Sequence, residues 1–159
     1  GVREDWGHIW RRPPIEAQIA DSAILLHNSA TFSVLPLNIA LESFIFEAEV
    51  TLRGAAAAGF VLRMVDHWGG DFVRLDPEFG GLRYIEHRFA EFLETRRAAI
   101  PTDRACHLKV VARKEHTEIY LDERLLTSFA RYRGLGGGLG LFVDRGAALF
   151  RDCRVRELA

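Results

Sequence analysis

A surplus of positive charge is missing from this chain. Its 159 residues carry 21 Lys and Arg against 22 Asp and Glu, a formal net charge of −1. A surface that follows a phosphate backbone needs excess Lys and Arg to displace counterions, so no nucleic acid partner is expected. Lysine is scarce, with Lys109 and Lys114 alone, and arginine carries the basic chemistry. Its planar fork suits hydroxyl and carboxylate partners. No apolar run approaches the roughly 20 residues that cross a bilayer; the longest candidate, residues 54–62, stops at Arg63. No membrane partner is expected either. The opening Gly1-Val2-Arg3-Glu4-Asp5 has no apolar signal-peptide core, and a start at Gly points to a trimmed chain or an excised domain. Cysteine is limited to Cys106 and Cys153, outside any C-x-x-C spacing, which removes the usual zinc-site signature. Both fall in apolar stretches and are expected as buried thiols. A disulfide between them would need a geometry that spacing does not supply.

Signatures of cofactors and nucleophiles are also lacking. None of His8, His27, His67, His87, His107 and His116 has a second histidine at two or four residues, so no metal is expected. The glycines Gly134, Gly136, Gly137, Gly138 and Gly140 lead into a strand pattern rather than a helix, which reads as a turn and not a phosphate loop. No Gly-x-Ser-x-Gly elbow occurs, and no cofactor is expected. Helix is limited to a turn or two near residues 37–41.

What is present is alternation. Phe44, Phe46, Ala48, Val50 and Leu52 alternate with Ile45, Glu47, Glu49, Thr51 and Arg53, the period of a strand with one buried and one wet face. Ala55 to Ala58 sit between Gly54 and Gly59 and read as a turn into a strand over residues 59–65, with Phe60, Leu62 and Met64 on one side. Further strands are expected over residues 24–26, 31–34, 72–76, 82–89, 92–100, 106–113, 117–121, 125–130, 139–144 and 147–155. Turn residues separate them, as in Pro77-Glu78-Phe79-Gly80-Gly81 and Pro101-Thr102-Asp103. Many short strands at this spacing predict an all-β domain, a two-sheet antiparallel β-sandwich. The domain is expected over residues 21–159. Residues 1–20, with Arg11-Arg12-Pro13-Pro14 and the anchors Trp6 and Trp10, read as an irregular connector.

The most site-like stretch is Asp66-His67-Trp68-Gly69-Gly70-Asp71. Trp68 offers a flat apolar face to a sugar ring, Asp66 and Asp71 accept hydroxyl hydrogen bonds, and the glycines allow close backbone approach. Alternation puts Arg74 and Asp76 on one strand face and Tyr84 and Glu86 on a face of the next strand. Arg63, opposite Phe60, Leu62 and Met64, could join them. Were Arg63, Arg74, Asp76, Tyr84 and Glu86 to line one surface, it would be a polar, aromatic-bearing face suited to carbohydrate; cross-strand ion pairs on a wet sheet explain the same residues. Glu47 and Glu49 share a strand face, and a glycosidase pair with carboxyls about 5–9.5 Å apart is conceivable there.

Two segments carry a family resemblance. Phe46-Glu47-Ala48-Glu49-Val50 is followed by Ala58-Gly59-Phe60-Val61-Leu62-Arg63. His107-Leu108-Lys109-Val110-Val111-Ala112-Arg113 precedes Thr117-Glu118-Ile119-Tyr120-Leu121-Asp122, then Gly140-Leu141-Phe142-Val143 and residues 148–155. This order resembles the C-terminal β-sandwich of glycoside hydrolase family 32 (invertases, inulinases and levanases). It is also similar to family 66 carbohydrate-binding modules and to the sandwich of 3-keto-disaccharide hydrolases. The resemblance covers residues 42–158 and implies a concanavalin-like jelly roll. It also implies a non-catalytic accessory module that binds carbohydrate beside the catalytic domain of a parent glycoside hydrolase, of the fructan-active type. Two alternatives are a structural brace for that domain and a glycoside-cleaving enzyme of the keto-disaccharide type acting through Glu47 or Asp76.

Overall fold

The computed structural model describes residues 16–20, 23–65, 70–86, 91–130 and 137–158. Every element among them is a strand: β1 (Glu16–Ala20), β2 (Ala23–Ala40), β3 (Phe44–Arg53), β4 (Ala57–Met64), β5 (Asp71–Asp76), β6 (Gly81–Glu86), β7 (Glu91–Arg97), β8 (Cys106–Arg113), β9 (His116–Leu121), β10 (Arg124–Ala130) and β11 (Gly138–Glu157). All named strand pairs are antiparallel.

Two long strands build both layers. Residues 138–144 of β11 pair with β4 and with the second half of β2, whereas residues 148–157 pair with β3 and residues 147–151 with the first half of β2. The first sheet therefore runs β2-β11-β4-β5-β6-β7 and the second β11-β3-β8-β9-β10, with the start of β2 and β1 on its other flank. Both strands bend where they change layer. In β2, Asn28 Oδ1 accepts hydrogen bonds from the amides of Ala30 and Thr31 at 3.0 and 3.1 Å, and its Nδ2 donates to Ser33 Oγ. In β11 the register shifts between Asp144 and Gly146, with Arg145 at φ 47° and Gly146 at φ 132°. A Cβ at Gly146 would lie 2.4 Å from the Gly54 carbonyl oxygen, so only glycine fits this corner.

The expected alternation of β3 is realised. Phe44, Phe46, Ala48, Val50 and Leu52 are buried between the layers, and the residues between them are half-buried or exposed. Phe46 stacks on Phe60 of the opposing sheet with centroids 3.9 Å apart and ring planes 7° apart. Burying each such side chain contributes about 1.5–3 kcal/mol, and Leu26, Leu35, Leu62, Leu75, Leu108, Val110, Ile119 and Phe150 continue the same core. The two-sheet jelly roll expected from the sequence is the fold.

Several local expectations differ. The strands expected over residues 24–26 and 31–34 are one strand, β2, those over 139–144 and 147–155 are one strand, β11, and the strand expected over 92–100 ends at Arg97. Residues 37–41 are not helical, because Leu37 to Ala40 continue β2 against β11. Glu16–Ala20, expected within the irregular connector, pairs with β2; Trp6 and Trp10 lie outside the described residues. Strict alternation also fails in β4. Gly140 pairs with Val61 but Gly138 with Met64, so Leu62 and Arg63 together oppose Leu139. This bulge, with Arg63 at φ 55°, turns Met64 to the outer face beside Val61 and sends Arg63 between the layers.

Candidate functional site

The expected site residues divide between two polar clusters on opposite faces of the first sheet. Asp66 and Trp68 lie outside the described residues.

The inner cluster bridges the layers. Arg63 Nη1 donates to Tyr84 Oη at 2.9 Å and lies 3.8 Å from Asp71 Oδ2, while Tyr84 Oη donates to the same carboxylate oxygen at 2.7 Å. Arg63 Nη2 reaches the second sheet, donating to Thr117 Oγ1 at 3.3 Å and to the Lys114 carbonyl at 3.4 Å. The Arg63 and Asp71 side chains are only 3% and 4% exposed, and Tyr84 and Thr117 are fully buried. The Tyr84 ring meets Phe129 of β10 edge-on at 4.7 Å. A buried ion pair is costly unless further hydrogen bonds satisfy its remaining capacity, and here tyrosine, threonine and carbonyl groups supply them. Among the described residues, the groups of this cluster are buried. Their chemistry is that of an internal tie.

The outer cluster is a ladder of alternating charge. Arg145 Nε donates to Asp144 Oδ1 at 2.9 Å, and Arg74 Nη2 stands 2.9 Å from Asp144 Oδ2. Arg74 Nε donates to Asp76 Oδ2 at 3.1 Å, and Arg83 Nη1 stands 4.0 Å from that oxygen. The next rung is aromatic: the Arg83 and Arg97 guanidinium carbons each lie 4.0 Å from the centroid of Phe79, a cation–π distance. The ladder runs from the β11 corner across β5 and β6 to β7. Arg74 spans β4 because that strand presents Gly59 opposite it and Ala57 opposite Asp144, leaving the way clear. Burial raises the Asp76 carboxyl, but the Phe79 amide and the Arg74 and Arg83 guanidiniums outweigh it and hold the group below its ordinary value. Asp144 is lowered in the same way, burial being outweighed by Arg145 and Arg74. Both are anions at neutral pH, and the Arg74, Arg83 and Arg145 side chains are 17%, 30% and 58% exposed.

Arg74 and Asp76 are thus brought together, but Tyr84 and Glu86 do not share their surface. Arg74 pairs in register with Arg83, whereas Val73 pairs with Tyr84 and Asp71 with Glu86. The single surface of Arg63, Arg74, Asp76, Tyr84 and Glu86 does not form, because the β5–β6 register and the Arg63 bulge put Arg63 and Tyr84 inside. Residues not anticipated are Asp144, Arg145, Arg83, Phe79 and Arg97 outside and Thr117 inside. Arg83 could have been found from its alternation with Tyr84; Asp144 and Arg145 fell at the end of the strand expected over residues 139–144 and in the gap that follows it.

Glu47 belongs to neither cluster. It faces outward on the second sheet, with Oε1 3.0 Å from His107 Nε2, so Glu47 and Asp76 stand on outer faces of different layers. Cys106 and Cys153 are free and buried, and burial pushes their thiols up to about 11 and about 12. Among the described residues no group of His, Cys, Asp and Glu is arranged to hold a metal ion.

No protein-family model and no curated protein matches the sequence. Solved structures do match in fold. A carbohydrate-binding module of family 66 from Bacillus subtilis superposes with a TM-score of 0.82 at 19% identity, over 90% of this chain and 92% of that one. A Bacillus subtilis protein with a galectin-like fold gives 0.72 at 10% identity, over 90% and 87%. A fructosyltransferase from A. japonicus gives 0.65 at 14% identity; 91% of this chain is covered but only 26% of that one. The chain therefore shares its fold with the family 66 module and with one part of the fructosyltransferase, in agreement with the fold that the resemblance implied.

Proposed function

We propose that this chain is a non-catalytic carbohydrate-binding module that accompanies a catalytic domain, with the outer ladder as its sugar-reading surface. The observation that carries the reading is the Arg145–Asp144–Arg74–Asp76–Arg83 series on one sheet face, with partly exposed arginines held by largely buried carboxylates. Sugar hydroxyls both donate and accept, and alternating guanidinium and carboxylate groups held by one another meet both needs without reordering. An open face covers only part of a ring, so binding is shallow and weak. The parent is read as a glycoside hydrolase of the fructan-active type, supported by the shared fold of family 66 modules and by the position of this fold as one part of a longer fructosyltransferase chain.

Titration calorimetry of the chain against levan, inulin and neutral glucans tests this. Binding that is lost in Arg74→Ala, with the circular dichroism spectrum retained, supports the ladder. Trp68→Ala is the companion variant: loss there with Arg74→Ala unaffected moves the sugar to residues 66–71. Absence of heat with every polymer leaves the structural brace as the function.

A further inference from the structure

We propose that the rim of the first sheet formed by Arg83, Phe79 and Arg97 binds the oxyanion groups of an acidic glycan, uronate carboxylates or sulfate esters. This goes beyond the neutral-sugar reading and does not depend on it. Two guanidiniums lie over one ring at the same 4.0 Å distance. Their placement is fixed locally. Asp76 Oδ1 accepts the Phe79 amide at 3.0 Å, the Gly80 amide donates to the Asp76 carbonyl at 2.9 Å, and the Ala98 amide donates to the Gly80 carbonyl at 3.1 Å. Arg97 Nη1 donates to the Phe79 carbonyl oxygen. The hairpin tip thus presents two ordered forks rather than two mobile side chains.

Charge along the ladder is unequal. Asp144 serves Arg145 and Arg74, and Asp76 serves both Arg74 and Arg83. No carboxylate of a described residue lies within ion-pair distance of Arg97, since Glu94 pairs with Arg96. Exposed Glu78 in the same turn offsets part of the excess. The end of the ladder at β7 is therefore its cationic end. Guanidinium forks match planar carboxylate and sulfate groups with two parallel hydrogen bonds, and two forks gathered at one ring suit a ligand with repeated negative charge.

The test is calorimetry on the full chain with polygalacturonate, dextran sulfate, neutral dextran and free sodium sulfate. The expected result is binding of one or both acidic polymers, weakened at least about tenfold in Arg97→Gln and in the Arg83→Lys/Arg97→Lys double variant. That double variant keeps the charge but loses the forks. Which polymer binds distinguishes uronate from sulfate. Wild-type affinity in either variant overturns the proposal, as does free sulfate binding as tightly as the polymers. Fructan binding that survives in Arg97→Gln while acidic polymers never bind refutes this inference and leaves the proposed function standing. Acidic binding that requires Arg97, with no fructan or glucan bound, does the reverse.

Discussion

Arg74 on β5 reaches across the whole width of β4 to place Nη2 2.9 Å from Asp144 Oδ2 on β11. Adjacent strands are about 4.8 Å apart, so the side chain crosses two strand spacings, and the small residues Gly59 and Ala57 beneath it make this possible. One guanidinium therefore ties Asp76 to the corner at which β11 changes layer.

Arg74→Ala is expected to destabilise the fold as well as weaken sugar binding, because Asp144 and Asp76 both lose a partner. The loss is about 1–3 kcal/mol, the cost of leaving charged hydrogen-bonding groups short of partners, and towards the lower end since the site is partly wet. Urea unfolding followed by tryptophan fluorescence measures it. An unchanged midpoint would show the ladder to be energetically idle.

Acid should weaken the ladder. Asp76 and Asp144 have folded-state pKa values below the ordinary 3.8 because their arginine partners outweigh the burial that raises them. A lowered folded pKa gives stability that is complete above the unfolded value and is lost as pH falls through the folded one. Stability should decline below about pH 4, and Asp76→Asn with Asp144→Asn should flatten that limb. Unfolding midpoints between pH 2 and pH 7 show it; parallel profiles for variant and parent would refute the linkage.

Tyr84→Phe keeps the ring against Phe129 and removes one hydroxyl. That hydroxyl accepts from Arg63 at 2.9 Å and donates to Asp71 at 2.7 Å, both buried. The expected cost is about 1–3 kcal/mol, with sugar binding at the outer face unaltered. A variant that is fully stable but no longer binds would place Tyr84 at the ligand instead.

Both thiols should be inert in the folded chain. Burial lifts Cys106 to about 11 and Cys153 to about 12, and the reactive species is the thiolate. A thiol-specific chromogenic reagent at pH 8 should react at the unfolding rate and titrate two groups at once in guanidinium chloride. Rapid reaction of either in native buffer would contradict the burial.

The alternating residues of β3 and the turn residues between the later strands determined by themselves that this is an antiparallel sandwich. Phe44, Phe46, Ala48, Val50 and Leu52 can be buried together only if the backbone is extended, and the strand at residues 106–113 could be read to its ends. Period two also correctly put Arg74 with Asp76 and Tyr84 with Glu86. It could not say which of those faces pointed inward on neighbouring strands, because register is a relation between chains of residues far apart or around a turn. The pairing of Val73 with Tyr84 decided that, and one extra residue in β4, at Arg63, decided that an arginine expected on the surface became an internal tie. The partnership of Arg74 with Asp144 was likewise invisible from spacing, since it depends on two strands seventy residues apart flanking β4. Local sequence sets the period of each strand; only the packed sheets set which charges meet.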